Sequence, residues 1–132
     1  MEIAVSQEKG RVPVTVFHVK GDITVESYER LQQQAEAAVQ AGTCDLLLDL
    51  TDVTYVSSAG LRAIHQIFNL LRRDQSEERD QAVRTGVRDG TFHSPHLKLL
   101  NPSPNVLGTL KLSGFDMFLE IHSNLREAVD SF

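Results

Sequence analysis

The run "CDLLLDL", residues 44–50, is the feature that most limits what this chain can become. Four leucines crowd into it without the polar alternation of a strand that keeps one face in water. It therefore predicts a central strand buried on both faces, which needs neighbouring strands at its edges and helices to cover it. The flanking patterns supply both. Ile3 and Val5 alternate with polar neighbours, and Val12, Val14 and Val16 alternate against Thr15, Phe17 and Val19, predicting a hairpin that turns at "EKGR". Gly21 stops the second strand. Tyr28, Leu31, Ala35, Ala38 and Val39 then recur at helical spacing up to Gly42, a fitting C′ glycine, which predicts a first helix over about 25–41.

Beyond the leucine run, Leu61, Ile64, Ile67, Phe68 and Leu71 mark a second amphipathic helix ending near Arg73. "HLKLL" resumes a strand. Ser103 as N-cap with Pro104 at the first helical position predicts a short third helix that stops at Gly114. "MFLEI" reads as a last strand, and Leu125, Ala128, Val129 and Phe132 carry the i, i+3, i+4, i+7 stripe of a closing helix. The alternation predicts an α/β fold: a mixed β-sheet of four to five strands covered by about four α-helices.

Composition narrows the function. A chain of 132 residues, 41 % apolar, suffices for one compact core. Its formal charge of −5 argues against nucleic acid as a partner, since phosphate neutralisation needs a basic surface. No window approaches the roughly 20 apolar residues of a membrane span. The opening "MEIAVSQEKGR" is polar rather than a basic stretch followed by a long apolar one, unlike an export signal. Cys44 stands alone and cannot form an intrachain disulfide, so a cytoplasmic protein is expected. From about 74 to 94 the charges are mixed and the apolar residues scattered, predicting a solvated, mobile excursion.

The junction "VSSAGL", residues 56–61, carries the candidate chemistry. Ser58 falls where the N-cap of the second helix belongs, able to accept from the amides of Gly60 or Leu61. Ala59 and Gly60 leave the first turn nearly bare, and a helical glycine, which costs about 0.5–1 kcal/mol relative to alanine, signals close approach of a backbone or a ligand. Free amides and the positive end of the helix dipole suit an anion there. A phosphate on Ser58 would meet the same amides.

Enzymatic readings find less support. A hydrolase nucleophile elbow needs glycine two places before the serine, where Val56 stands. His18, His65, His93, His96 and His122 are scattered, and "HSPH" without a nearby cysteine is a poor metal pair. Asp45 and Asp49 are explained as exposed ends of the leucine strand. Gly86 and Gly90 lack the Gly-Lys-Ser/Thr of a phosphate-binding loop. No catalytic residue, metal or cofactor is expected.

"DLTDVTYVSSAGLRAI", with "GDI" at 21–23, "NPSP" at 101–104 and "LKLSGFDMFLEI", resembles the STAS domain family, above all the bacterial anti-sigma factor antagonists. The likeness implies a single STAS-like domain over residues 1–132, with the charged excursion inserted. It implies that Ser58, less so Ser57, is phosphorylated by a serine kinase that is also the anti-sigma factor, and that phosphorylation releases this partner. Asp22, Thr24, Ser57, Ser58, Ala59, Gly60 and Arg62 are the partner-binding residues it points to. The family's frequent acidic residue after the "GDI" turn is Thr24 here, its aspartate before the acceptor is Ser57, and its second hydroxyl is Ala59. The alternative is a STAS scaffold or ligand-sensing module that is not phosphorylated.

Overall fold

The computed structural model describes residues 1–72 and 96–132; the excursion expected at 74–94, and His93 with it, lie outside the described residues. Two strands, β1 (Glu2–Lys9) and β2 (Pro13–Lys20), form the hairpin and turn where "EKGR" predicts. Helix α1 (Tyr28–Gln40) leads to β3 (Leu46–Asp52), and α2 (Ser58–Arg72) follows. After the undescribed stretch come β4 (Leu97–Leu100), α3 (Pro104–Leu112), a 3-10 turn over Phe115–Met117, β5 (Glu120–His122) and α4 (Leu125–Asp130). The five strands lie in the order β1-β2-β3-β4-β5, with β1 antiparallel to β2 and all later pairs parallel. This is the mixed α/β sheet that the alternation of patterns predicts.

The leucine run is the centre of that sheet. Leu46, Leu47, Leu48 and Leu50 are all fully buried. Successive side chains of a strand point to opposite faces, so Leu46, Leu48 and Leu50 enter one core and Leu47 the other. On the larger side Leu31 and Ala35 of α1, Ala63, Ile64, Ile67, Phe68 and Leu71 of α2, and Val106 and Leu110 of α3 cover the sheet. On the smaller side Ala128 and Val129 of α4 pack on Val14, Val16, Leu47 and Leu100.

Element ends follow local chemistry. Helix α1 closes in a Schellman motif: Gly42 sits at φ +106°, its N–H donates to the carbonyl of Val39, and Thr43 N–H donates to that of Ala38. Ser103 caps α3, its Oγ accepting from Val106 N–H at 3.3 Å. Two boundaries differ from expectation. Helix α1 starts at Tyr28 rather than near 25, because Thr24, Glu26 and Ser27 are engaged in a side-chain-bonded turn. "MFLEI" is not all strand: Gly114 at φ +76° opens the 3-10 turn, so Met117 precedes Leu119 and only Glu120–His122 pair with β4. The half-buried rings of Phe115 and Phe118 pack on the large core here, a packing that overrides their strand propensity. Among the described residues no helix is long and apolar enough to cross a membrane.

Candidate functional site

The parallel strands β2, β3 and β4 end on the same edge of the sheet, and the connections that leave them build the site. After β2 the chain turns at Gly21, whose φ of +103° only glycine adopts without strain. It then runs beside the β3–α2 connection as a short parallel bridge between Ile23 and Val56. Gly21 N–H donates to Asp52 O at 3.1 Å, Ile23 N–H to Tyr55 O at 3.0 Å and Ser57 N–H to Ile23 O at 2.9 Å. Thr54 Oγ1 donates to Asp22 Oδ1 at 2.6 Å, and Asn105 Nδ2 at the start of α3 donates to Thr54 O at 3.0 Å. Three connections are thereby tied into one platform.

Gly60 lets this platform close. A Cβ on it would lie 2.5 Å from the carbonyl oxygen of Ile23 and 2.8 Å from a Val56 methyl. The close approach that its glycine signals is therefore the chain's own backbone, and no ligand is needed to explain it.

Ser57 and Ser58 exchange the positions that the sequence suggests. Ser57, not Ser58, is the N-cap: its Oγ accepts from Gly60 N–H at 3.2 Å, and its carbonyl accepts the first helical bond, from Leu61 N–H, at 2.9 Å. Helical spacing locates a start only to within a residue, and the strand-like bridge ends at Val56, so the helix starts one place earlier. Ser58 is thus the first helical residue, exposed, and its hydroxyl has no hydrogen-bond partner among the described residues. No acidic residue lies in the first turn of α2, so the helix itself places no negative charge at the positive end of its dipole.

Of the other residues singled out, Ala59 is half-buried in that turn, and Arg62 is exposed one turn further on. Arg62 lines a polar groove between α1 and α2 with Tyr28, Gln32, Glu36, Gln66 and Leu70. Asp22 is exposed and carries the loop bonds: its carbonyl accepts from Ser27 Oγ at 2.8 Å. Thr24 caps the start of α1 with its carbonyl, accepting from Tyr28 N–H at 2.8 Å. All seven residues lie on the two connections or the first turns of α2.

Four further residues were not legible beforehand. Thr54 and Asn105 lock the connections together, while Val25 and Tyr55, 72 % and 48 % exposed, are apolar side chains on the connections that leave β2 and β3. An apolar residue inside an otherwise polar turn was the available signal for Val25.

Asp45 and Asp49 are not exposed strand ends. Asp45 holds His96 at 3.0 Å and Asp49 holds His18 at 2.8 Å. Among the described residues no group of three or more His, Cys, Asp or Glu side chains is placed to hold a metal.

Comparison with known proteins places this architecture. The STAS domain family matches residues 4–77, more than half of the chain, and the protein belongs to that family. None of the curated proteins compared matches it. Among solved structures, an anti-sigma factor antagonist from Mycobacterium paratuberculosis is similar at a TM-score of 0.68 and 19 % identity, over 97 % of this chain and 92 % of that one. SpoIIAA in its unphosphorylated form gives 0.66 and 17 %, over 96 % and 94 %. The Bacillus cell fate determinant SpoIIAA in its phosphorylated form gives 0.59 and 18 %, over 96 % and 97 %. The shared feature is the fold: a five-stranded mixed sheet with four helices.

Proposed function

We propose that this STAS protein is an anti-sigma factor antagonist, which binds a serine-kinase anti-sigma factor through the Ser58 platform and is released when Ser58 is phosphorylated. One observation carries the reading: the Ser58 hydroxyl stands exposed at the first position of α2, without a hydrogen-bond partner among the described residues, next to three connections tied together by hydrogen bonds. Ser57 is the poorer acceptor, because the residue is half-buried and its Oγ already holds the Gly60 amide. Solved structures of the same fold carry the name SpoIIAA in both unphosphorylated and phosphorylated form, which accords with a switch of this kind.

The physics of release is a contrast between fold and interface. A phosphate adds about −1.5 to −2 charge. On the free protein it meets water and the positive end of the α2 dipole, where an anion gains roughly 0.3–1 kcal/mol. Within a closed interface the same group loses its water, and the single positive charge of Arg62, one turn along α2, offsets only part of that cost. Each 1.4 kcal/mol of that penalty is about tenfold in affinity, and an unpaired buried charge costs several times this. Asp22, Thr24 and Arg62, with the exposed Val25 and Tyr55, supply the surface around the serine.

Ser58→Asp tests the reading. The variant should fold as the wild type does and fail to retain a serine-kinase anti-sigma factor in affinity capture. Equal retention of the partner by both proteins refutes the switch and favours the unphosphorylated scaffold. Peptide mapping after incubation with ATP and the captured kinase should find phosphate on Ser58; phosphate confined to other residues refutes the site.

A further inference from the structure

The face of the sheet beneath α4 carries a second hydroxyl in an unusual setting. Register partners share a face, so Ala4, His18, Asp49, Leu100 and His122 form one row across the five strands, and Ser6 lies on the same face two residues along β1. Ser6 Oγ is 3.0 Å from His18 Nε2, and His18 Nδ1 is 2.8 Å from Asp49 Oδ2. The other carboxylate oxygen of Asp49 accepts from both the amide and the hydroxyl of Thr51. Nucleophile, base and orienting carboxylate are thus joined in series, each within hydrogen-bond reach of the next.

The charges suit the geometry. Burial raises the pKa of Asp49, but the bonds from Thr51 and from His18 outweigh it and hold the carboxyl below its ordinary value of 3.8. An ionised Asp49 can only accept, so Nδ1 of His18 carries the proton between them. In the neutral form of the ring, Nε2 then offers its lone pair to the Ser6 hydroxyl. Both ends are reachable: the His18 side chain is 38 % exposed, and Ser6, on an edge strand, is half-buried. α4 packs on the neighbouring Val14, Val16 and Leu47, so these three polar side chains lie on the same face beside its cover.

The geometry points to Ser6 as an activated nucleophile that takes an acyl group from small, self-activated acyl donors, with His18 as general base and Asp49 as its positioning residue. Ser6 Oγ forms the new bond to the acyl carbonyl carbon while its proton passes to His18 Nε2. The acyl–oxygen bond of the donor breaks, and the leaving group departs with the electron pair. His18 then returns the proton to water. The inference is independent of Ser58.

The test uses the intact chain and 4-nitrophenyl acetate, with release of 4-nitrophenolate and peptide mass mapping as readouts. Acetyl-Ser6 should form about a hundredfold faster in the native protein than in the same protein unfolded in urea, at the lower end of what general-base assistance supplies. Ser6→Ala should abolish that phase. His18→Gln and Asp49→Asn, close in shape to the native residues, should slow it towards the unfolded rate while their melting curves stay cooperative. Acetylation confined to lysines or the N-terminus overturns the inference. So does a native rate at Ser6 no greater than the unfolded one, or labelling in folded His18→Gln equal to the wild type.

Discussion

Ser57 and Ser58 are the same residue one position apart, and the backbone assigns them opposite tasks. Ser57 spends its oxygen on the Gly60 amide, while Ser58 begins the helix with its hydroxyl in water. Their alanine variants should therefore differ. Ser57→Ala removes a cap and should cost about 0.5–2 kcal/mol in urea unfolding, whereas Ser58→Ala should stay within about 0.5 kcal/mol of the wild type, as surface substitutions do. A larger loss from Ser58→Ala would restore it as the cap. The sequence located this junction but assigned the cap to Ser58, one residue too late. A cap is defined by where the preceding residue stops being extended, and the bridge between Val56 and Ile23, far apart in the chain, decides that.

At the scale of elements, the start of α2 is held by a contact rather than by its own propensity. Alanine at position 60 would favour the helix by about 0.5–1 kcal/mol over glycine. Its Cβ would nevertheless lie 2.5 Å from Ile23 O, on a backbone pinned from both sides by Tyr55 and Ser57. Overpacking of that kind costs about 1–3 kcal/mol, so the contact outweighs the propensity. Gly60→Ala should lower the urea midpoint, and amide exchange should accelerate at Ile23 and Ser57, whose bonds would stretch. A more stable variant would mean that the two connections are not in register as described. The helices and central strands were legible because their apolar periods are long. The 3-10 turn before β5 was not, because Phe115 and Phe118 point to the large core from a turn while carrying the composition of a strand.

For the whole molecule, the sheet has one thick cover and one thin one. The smaller core depends on α4, a helix of six residues, and on a clamp across its end: buried Lys98 donates from Nζ to Ser131 O at 2.9 Å and Oγ at 3.0 Å, and sits 4.9 Å from the Phe132 ring centre. Removing residues 124–132 should expose Val14, Val16, Leu47 and Leu100, lower stability by several kcal/mol at about 1.5–3 for each apolar side chain returned to water, and raise the fluorescence of a hydrophobic dye. A truncated chain with unchanged melting and no dye binding would show that α4 is dispensable to that face. The amino-acid sequence by itself determined the double-sided burial of β3, the order of strands and helices, the caps at Ser103 and Gly42, and the small-residue junction at 57–60. These are legible because each is written in the composition or the period of a short stretch of chain. Only the tertiary structure decided which serine is free, what Gly60 makes room for, and that Ser6, His18 and Asp49 meet on one face. Each of those depends on the register between strands that lie far apart in sequence, and register is set by the packed core as a whole.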